Sequence, residues 1–174
     1  PVGGGMGFGP WLTLDAKGII TAHCPHQEMG QGTTSLMASL IAEELDANPA
    51  QMRVEHAAAV PAYSNPTMIL DSLPFADDDT GIVATAARAT LRHVIEAFGV
   101  NGTGGSTGAR NIAEGTQRAA ASLRGVLLDA AGKRLGVSTS ELTIERGIIR
   151  HASSNRSLSF GDVAIDADNI TPRE

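Results

Sequence analysis

"WLTLDAKGIITAHCPHQEMGQGTTSLMASLIAEELDANPAQMRVEH", residues 11–56, changes its hydrophobic period twice. Leu12 and Leu14 face Ile20, Ala22 and Cys24 across a turn at Asp15 to Gly18, which is the pattern of a hairpin with one buried face. Beyond it Leu36, Met37, Leu40, Ile41 and Leu45 recur at helical spacing and leave Glu43, Glu44 and Asp46 to solvent. "MRVEH" then returns to a short strand. This order predicts a strand, helix, strand unit, and with it an α+β fold of mixed sheet and hairpins packed with long helices.

The junction between the hairpin and the helix sets Gly30 and Gly32 on either side of Gln31. Glycine tolerates positive φ and close backbone approach, so the pair predicts a tight strand-to-helix turn that presents the glutamine. A plain helix start with an incidental glutamine is the competing reading.

Outward from this unit, residues 1–10 form a glycine-rich, flexible lead with no assigned secondary structure, 11–168 form the domain, and 169–174 read as a linker leaving it. Residues 58–80 carry three prolines and an aspartate cluster, which predicts a long surface excursion. A helix is expected over 82–97, ending near Gly99. "NGTGGSTGARN", residues 101–111, feeds a second long helix from about Ala109 to Leu135, with Gly136 placed to stop it. "LTIERGIIRH" reads as a hairpin turning at Arg146 and Gly147, and "SLSFGDVAIDA" as a capped short helix.

The 174 residues are enough for one domain with a real core, and the 42% hydrophobic content agrees with that. Thirteen basic against 19 acidic residues give a net charge of -6, and the cations are scattered, which argues against a nucleic-acid partner. No apolar run approaches the roughly 20 residues that span a bilayer, and no leader pattern opens the chain. Pro1 predicts a fragment, a matured chain or an excised domain. The single Cys24 excludes an internal disulfide and leaves the compartment open.

The strongest local chemistry lies in Thr103 to Thr107, "TGGST". Free backbone N–H groups at a helix N-terminus, glycines and two hydroxyls suit phosphate or another anion, whereas a Ser/Thr-capped helix after a flexible loop is the alternative. No lysine follows, so the Walker phosphate loop is not matched. In "HCPHQE", Cys24, His26 and Glu28 are candidates for one strand face, but no second ligand pair with zinc-like spacing is present, and no metal site is assigned. His56, His93 and His151 read as solvated or locally bonded imidazoles. Asp77 to Asp79 lack the spacing of a calcium loop and read as charge favourable near a helix start.

"HQEMGQGTTSLMASLIAEELDANPAQMRVEHA", then "GTGGSTGARN", then "ELTIERGIIRHASSNRSLSFGDVA" resemble, in that order, the molybdopterin-binding large subunit of the xanthine dehydrogenase family. The nearest branch is the isoquinoline 1-oxidoreductase beta-subunit type, which also includes aldehyde dehydrogenases. The resemblance implies part of a molybdopterin-binding domain in a bacterial molybdenum hydroxylase that oxidises an aldehyde or N-heterocycle with water as the oxygen source. It implies iron–sulfur clusters on a small partner subunit, and a molybdopterin whose usual bacterial form is the cytosine dinucleotide. Gln31 would then bond the pterin near molybdenum, with Gly30 and Gly32 allowing the approach, while Gly105, Ser106 and Thr107 would hold the pterin phosphate. The family's catalytic glutamate lies in a glycine-rich motif near the C-terminus of a longer subunit, and nothing here matches it. Glu28 is not that base. This chain is therefore expected to be the N-terminal portion of the subunit, inactive alone, with the substrate fixed by the remainder and the compartment left between periplasm and cytoplasm. The other readings are a non-catalytic phosphate or nucleotide-binding module and a structural interaction domain.

Overall fold

The computed structural model describes residues 5–167, so the linker at 169–174 and the first four residues lie outside the described residues. Leu12–Asp15 (β2) and Ile20–Cys24 (β3) form the expected hairpin, in register Leu12↔Ala22 and Leu14↔Ile20. Alternation then buries Leu12, Leu14, Ile20, Ala22 and Cys24 on one face. From β3 the chain crosses through helix α1 (Thr33–Leu45) to β4 (Met52–His56), which pairs with β3 in parallel. The strand, helix, strand unit is present as the periodicity predicts.

Two strands depart from expectation. Gly5–Phe8 forms β1, antiparallel to β2, where the glycine-rich lead predicted no regular structure. The reason is tertiary: β2 offers an edge, and Phe8 is buried in the core. Likewise Arg156–Ser159 is strand β7, so the capped short helix expected within 157–167 is present but begins at Phe160, with Ser159 and Asp162 bonding reciprocally at its start; β7 completes a three-stranded antiparallel sheet with β5 (Leu142–Glu145) and β6 (Ile148–His151). The β5–β6 turn falls at Arg146 and Gly147, both with positive φ, as a two-residue hairpin loop requires.

The excursion after β4 is not uniformly loop. It holds a single 3-10 turn at Pro61–Tyr63 and the short helix α2 (Thr67–Leu70), and it buries Tyr63 and Asn65. Helix α3 (Ile82–Phe98) follows and stops at Gly99 in the left-handed region. Asp79 accepts a bond from the Gly81 N–H just ahead of it, and Arg88 ties back to the Ala76 and Asp79 carbonyls. α3 buries only Ala84 and Ile95, and leaves Ile82 89% and Phe98 80% exposed.

Helix α4 (Gly108–Leu135) ends at left-handed Gly136 and packs on α1 and on α5 (Phe160–Ala167). Ile112, Leu123 and Leu127 of α4 meet Met37, Ile41 and Leu45 of α1 over the buried face of the four-stranded sheet, and Phe160 and Val163 close the core from α5. Helix α4 also carries Gly115 against Trp11, where a Cβ would lie 2.3 Å from the indole. The openings of α1 and α4 are thereby brought to one end of the sheet. No helix among the described residues is long and apolar enough to cross a membrane.

Candidate functional site

β3 ends at Cys24, and Pro25 and His26 lead into the Gly-Gln-Gly turn. Gly30 has φ 96° and Gly32 φ 78°, so both need glycine for the backbone itself, and neither position meets another atom within 4 Å where a Cβ would sit. The glycine face is open. Gln31, however, is turned back on its own loop. Its Nε2 donates to Gln27 O at 2.6 Å and Thr33 Oγ1 at 2.7 Å, and its Oε1 accepts from Met29 N at 2.6 Å. Both amide hydrogens are engaged, which leaves toward the outside only the second lone pair of Oε1.

The amides of the same turn point at Glu28. One carboxylate oxygen accepts from Gly30 N (2.9 Å) and Gly32 N (3.0 Å), the other from Thr34 N and Thr34 Oγ1 (3.1 and 3.0 Å). The N–H of Thr34, then that of Gly32, with the Thr34 hydroxyl and Gly30 N–H behind them, hold this carboxyl at about 2 against an ordinary 4.5. So weak a base is unsuited to proton abstraction at neutral pH.

The second turn has a different economy. Gly105 and Ser106 take positive φ (59° and 57°), and Gly104 to Ser106 are exposed. No side chain caps α4 at Thr107. Thr107 itself is 1% exposed and faces inward: its hydroxyl donates to Gly104 O (3.0 Å) and accepts from Asn65 Nδ2 (2.9 Å). Of the three residues expected at a phosphate, Gly105 and Ser106 face solvent and Thr107 supports them from beneath.

The segments that lead into the two turns are bonded to each other. Gln27 N donates to Thr103 Oγ1 at 3.1 Å, and Asn101 Nδ2 to Pro25 O at 3.1 Å. Between them lies His26, fully buried, with Nε2 2.8 Å from Asn111 Oδ1 and Nδ1 3.4 Å from Thr103 Oγ1. Asn111 Nδ2 donates to Ser64 O, so its Oδ1 accepts and His26 Nε2 is the donor. Gly108, the first residue of α4, packs on the same ring. Asn65 adds a bond to Gly102 O, and its own Oδ1 is buried without a partner. A polar hub therefore holds the loops before α1 and α4 at one place.

The Cys24 thiol is buried and donates to His26 O, and burial pushes its pKa up. Among the described residues no three His, Cys, Asp or Glu side chains gather as a metal site. His151 is buried beside Ser154 and Glu141, whereas His56 and His93 are exposed. A groove of about 760 Å³ runs between Trp11, Phe8 and the middle of α4, and touches neither glycine turn.

No family model matches the chain. The isoquinoline 1-oxidoreductase subunit beta of Brevundimonas diminuta is 29% identical over 154 residues, which is 88% of this chain and 16% of the relative. Among solved structures, quinoline 2-oxidoreductase from Pseudomonas putida 86 superposes with a TM-score of 0.56 at 18% identity, over 91% of this chain and 16% of that one. The Cu,Mo-CO dehydrogenase gives 0.55 at 17% identity, over 88% of this chain and 15% of that one. The chain has the fold of a segment of these oxidoreductases. It spans about one sixth of the length of the curated relative it matches.

Both glycine turns were visible in the sequence, while His26, Asn65, Thr103 and Asn111 as one hub were not. Their contacts join residues 37 to 85 positions apart, a separation that carries no local signal. Glu28 had a signal of the ordinary kind, an acid just ahead of a helix.

Proposed function

We propose that this chain is the N-terminal, cofactor-binding portion of the large subunit of a molybdenum hydroxylase in the xanthine dehydrogenase family, of the isoquinoline 1-oxidoreductase beta-subunit type. The observation that carries the reading is the bonded pair of loops that lead into the glycine turns, Gln27 to Thr103 and Asn101 to Pro25, each opening a helix at the same end of the sheet. The 29% identity to an isoquinoline oxidoreductase subunit and the fold shared with a molybdenum-containing dehydrogenase support it.

The residues present fit such a group. The exposed turn at Gly105 and Ser106 and the uncapped N-terminus of α4 offer N–H groups and positive dipole to a phosphate, with Thr107 and Asn65 fixing the turn from within. Across the hub, Gly30 and Gly32 leave open space in front of Gln31. Gln31 offers Oε1 as it stands, and offers an N–H donor once it gives up Gln27 O or Thr33. When bound, molybdopterin, in the cytosine dinucleotide form, supplies the two-electron chemistry for oxidation of an aldehyde or N-heterocycle with water as oxygen source. Residues elsewhere in the large subunit supply the general base and the substrate pocket, and an iron–sulfur small subunit takes the electrons.

Molybdenum and pterin analysis of the purified intact gene product tests this. Both should be present in near-equal amount per polypeptide. Phosphate or nucleotide without molybdenum would replace the reading with a non-catalytic anion-binding module. The segment 1–174 alone should show no turnover of aldehyde or N-heterocycle with an artificial acceptor, and turnover at the rate of the assembled enzyme would contradict it.

A further inference from the structure

The Gly30–Gly32 turn has an inherent problem. Two glycines at positive φ give it much conformational freedom to lose, and Gly32, the N-cap of α1, has no side chain with which to cap the helix. Left alone, such a turn would sample many shapes and carry Gln31 with it. Glu28 removes that freedom. Its two oxygens take three backbone N–H groups and one hydroxyl from residues 30 to 34, so a single side chain closes the loop onto its own first residue. Bonds to an ionised acceptor are about twice as strong as neutral ones, and the helix dipole adds in the same direction.

We propose that Glu28 is a positioning residue for Gln31. The carboxylate sets the backbone of the turn. Gln27 O, Thr33 Oγ1 and Met29 N then fix the amide rotamer on that frame, so that the glutamine waits in one place beside an unobstructed glycine face. The role rests on the reading that Gln31 meets a cofactor, but the ordering of the turn by Glu28 stands without it. The carboxylate is engaged within the α1 turn, whereas the N-terminus of α4 is left without a side-chain cap. Glu28 acts through Gln31 and not on the reacting atoms.

The test compares Glu28→Ala and Glu28→Gln with wild type in the intact gene product. Hydrogen exchange over residues 28–35 should rise at least about tenfold in Glu28→Ala, the factor expected from losing one charge-assisted bond, and less in Glu28→Gln, which keeps an acceptor. Sodium formate should slow that exchange again in Glu28→Ala by filling the vacated amides, and leave wild type unchanged. Molybdenum content should fall with Glu28→Ala and recover when cells or reconstitution mixtures contain formate. Unchanged exchange in both variants would overturn the ordering role, whatever the cofactor content. Raised exchange with wild-type molybdenum content would overturn the positioning role. Absence of molybdenum from wild type would instead refute the functional reading and leave the exchange result intact.

Discussion

Removing the His26 imidazole should weaken the joint between the two loops, and its cost follows from the contacts it makes. The imidazole is fully buried and its Nε2 reaches Asn111 Oδ1 at 2.8 Å, while the Thr103 contact at 3.4 Å is near the limit of a bond. His26→Phe keeps the ring's volume and strips both polar contacts. An orphaned acceptor costs about 1–3 kcal/mol, and because Asn111 is half-buried and water reaches it, the lower half of that range applies, about 1–2 kcal/mol. His26→Ala adds a cavity under Gly108 and should reach about 3–5 kcal/mol, the range of large-to-small core changes. For a chain of this size 1 kcal/mol moves Tm by about 2–4 °C, so the Phe variant should melt roughly 2–8 °C lower and the Ala variant clearly lower still. Denaturant titration by circular dichroism supplies the energies, and a double-mutant cycle with Asn111→Ala should return a coupling of about 0.5–3 kcal/mol. Both variants within about 0.5 kcal/mol of wild type, the scale of ordinary surface substitutions, would refute the hub.

Three further outcomes follow from single positions. Gly32→Ala should cost about 1–2 kcal/mol of backbone strain with no steric term, since nothing lies within 4 Å of the added methyl, and Gly32→Asn should cost visibly less; equal melting of all three proteins would remove the left-handed requirement. Glu28 has its folded pKa depressed to about 2 from 4.5, so its contribution is complete above the ordinary carboxylate range and lost as pH falls from there toward 2. Exchange over residues 28–34, corrected for intrinsic rate, should therefore rise within that window ahead of global unfolding, and a flat profile would contradict the charged cap. Gly115→Val must displace the indole of Trp11, now held edge-on to Tyr63 at 5.1 Å, at a cost of about 1–3 kcal/mol from overpacking. The single tryptophan should report it as a red-shifted emission, and an unshifted spectrum with unchanged Tm would show that the groove accommodates the side chain.

What the sequence made legible was whatever a local period or a backbone requirement encodes. The alternation at Leu12 to Cys24, the helical spacing at Leu36 to Leu45 and the stops at Gly99 and Gly136 are all where the pattern places them, because each is decided within a few residues. β1 and β7 were not legible. Gly5–Phe8 has glycine at alternate positions and Arg156–Ser159 is largely exposed, so neither has a strong strand pattern, and each forms because a neighbouring edge is available. The same division runs through the site. Positive φ at Gly30 and Gly32 was readable from residue type, while the inward turn of Thr107, the engagement of Gln31 by its own loop and the burial of His26 among Asn111 and Thr103 depend on partners brought together by the fold.

The central claim is that the turn at Gly105 and Ser106 holds a phosphate of the cofactor that Gln31 meets. Molybdenum per polypeptide in purified Ser106→Glu, beside wild type from the same expression, tests it most directly. Ser106 is exposed and already in the left-handed region, so the substitution should leave the fold and its Tm close to wild type while setting a carboxylate at the proposed phosphate position, where juxtaposed like charges repel by about several kcal/mol. The account predicts a folded protein with molybdenum reduced to a trace. A folded Ser106→Glu protein with wild-type molybdenum content would contradict it.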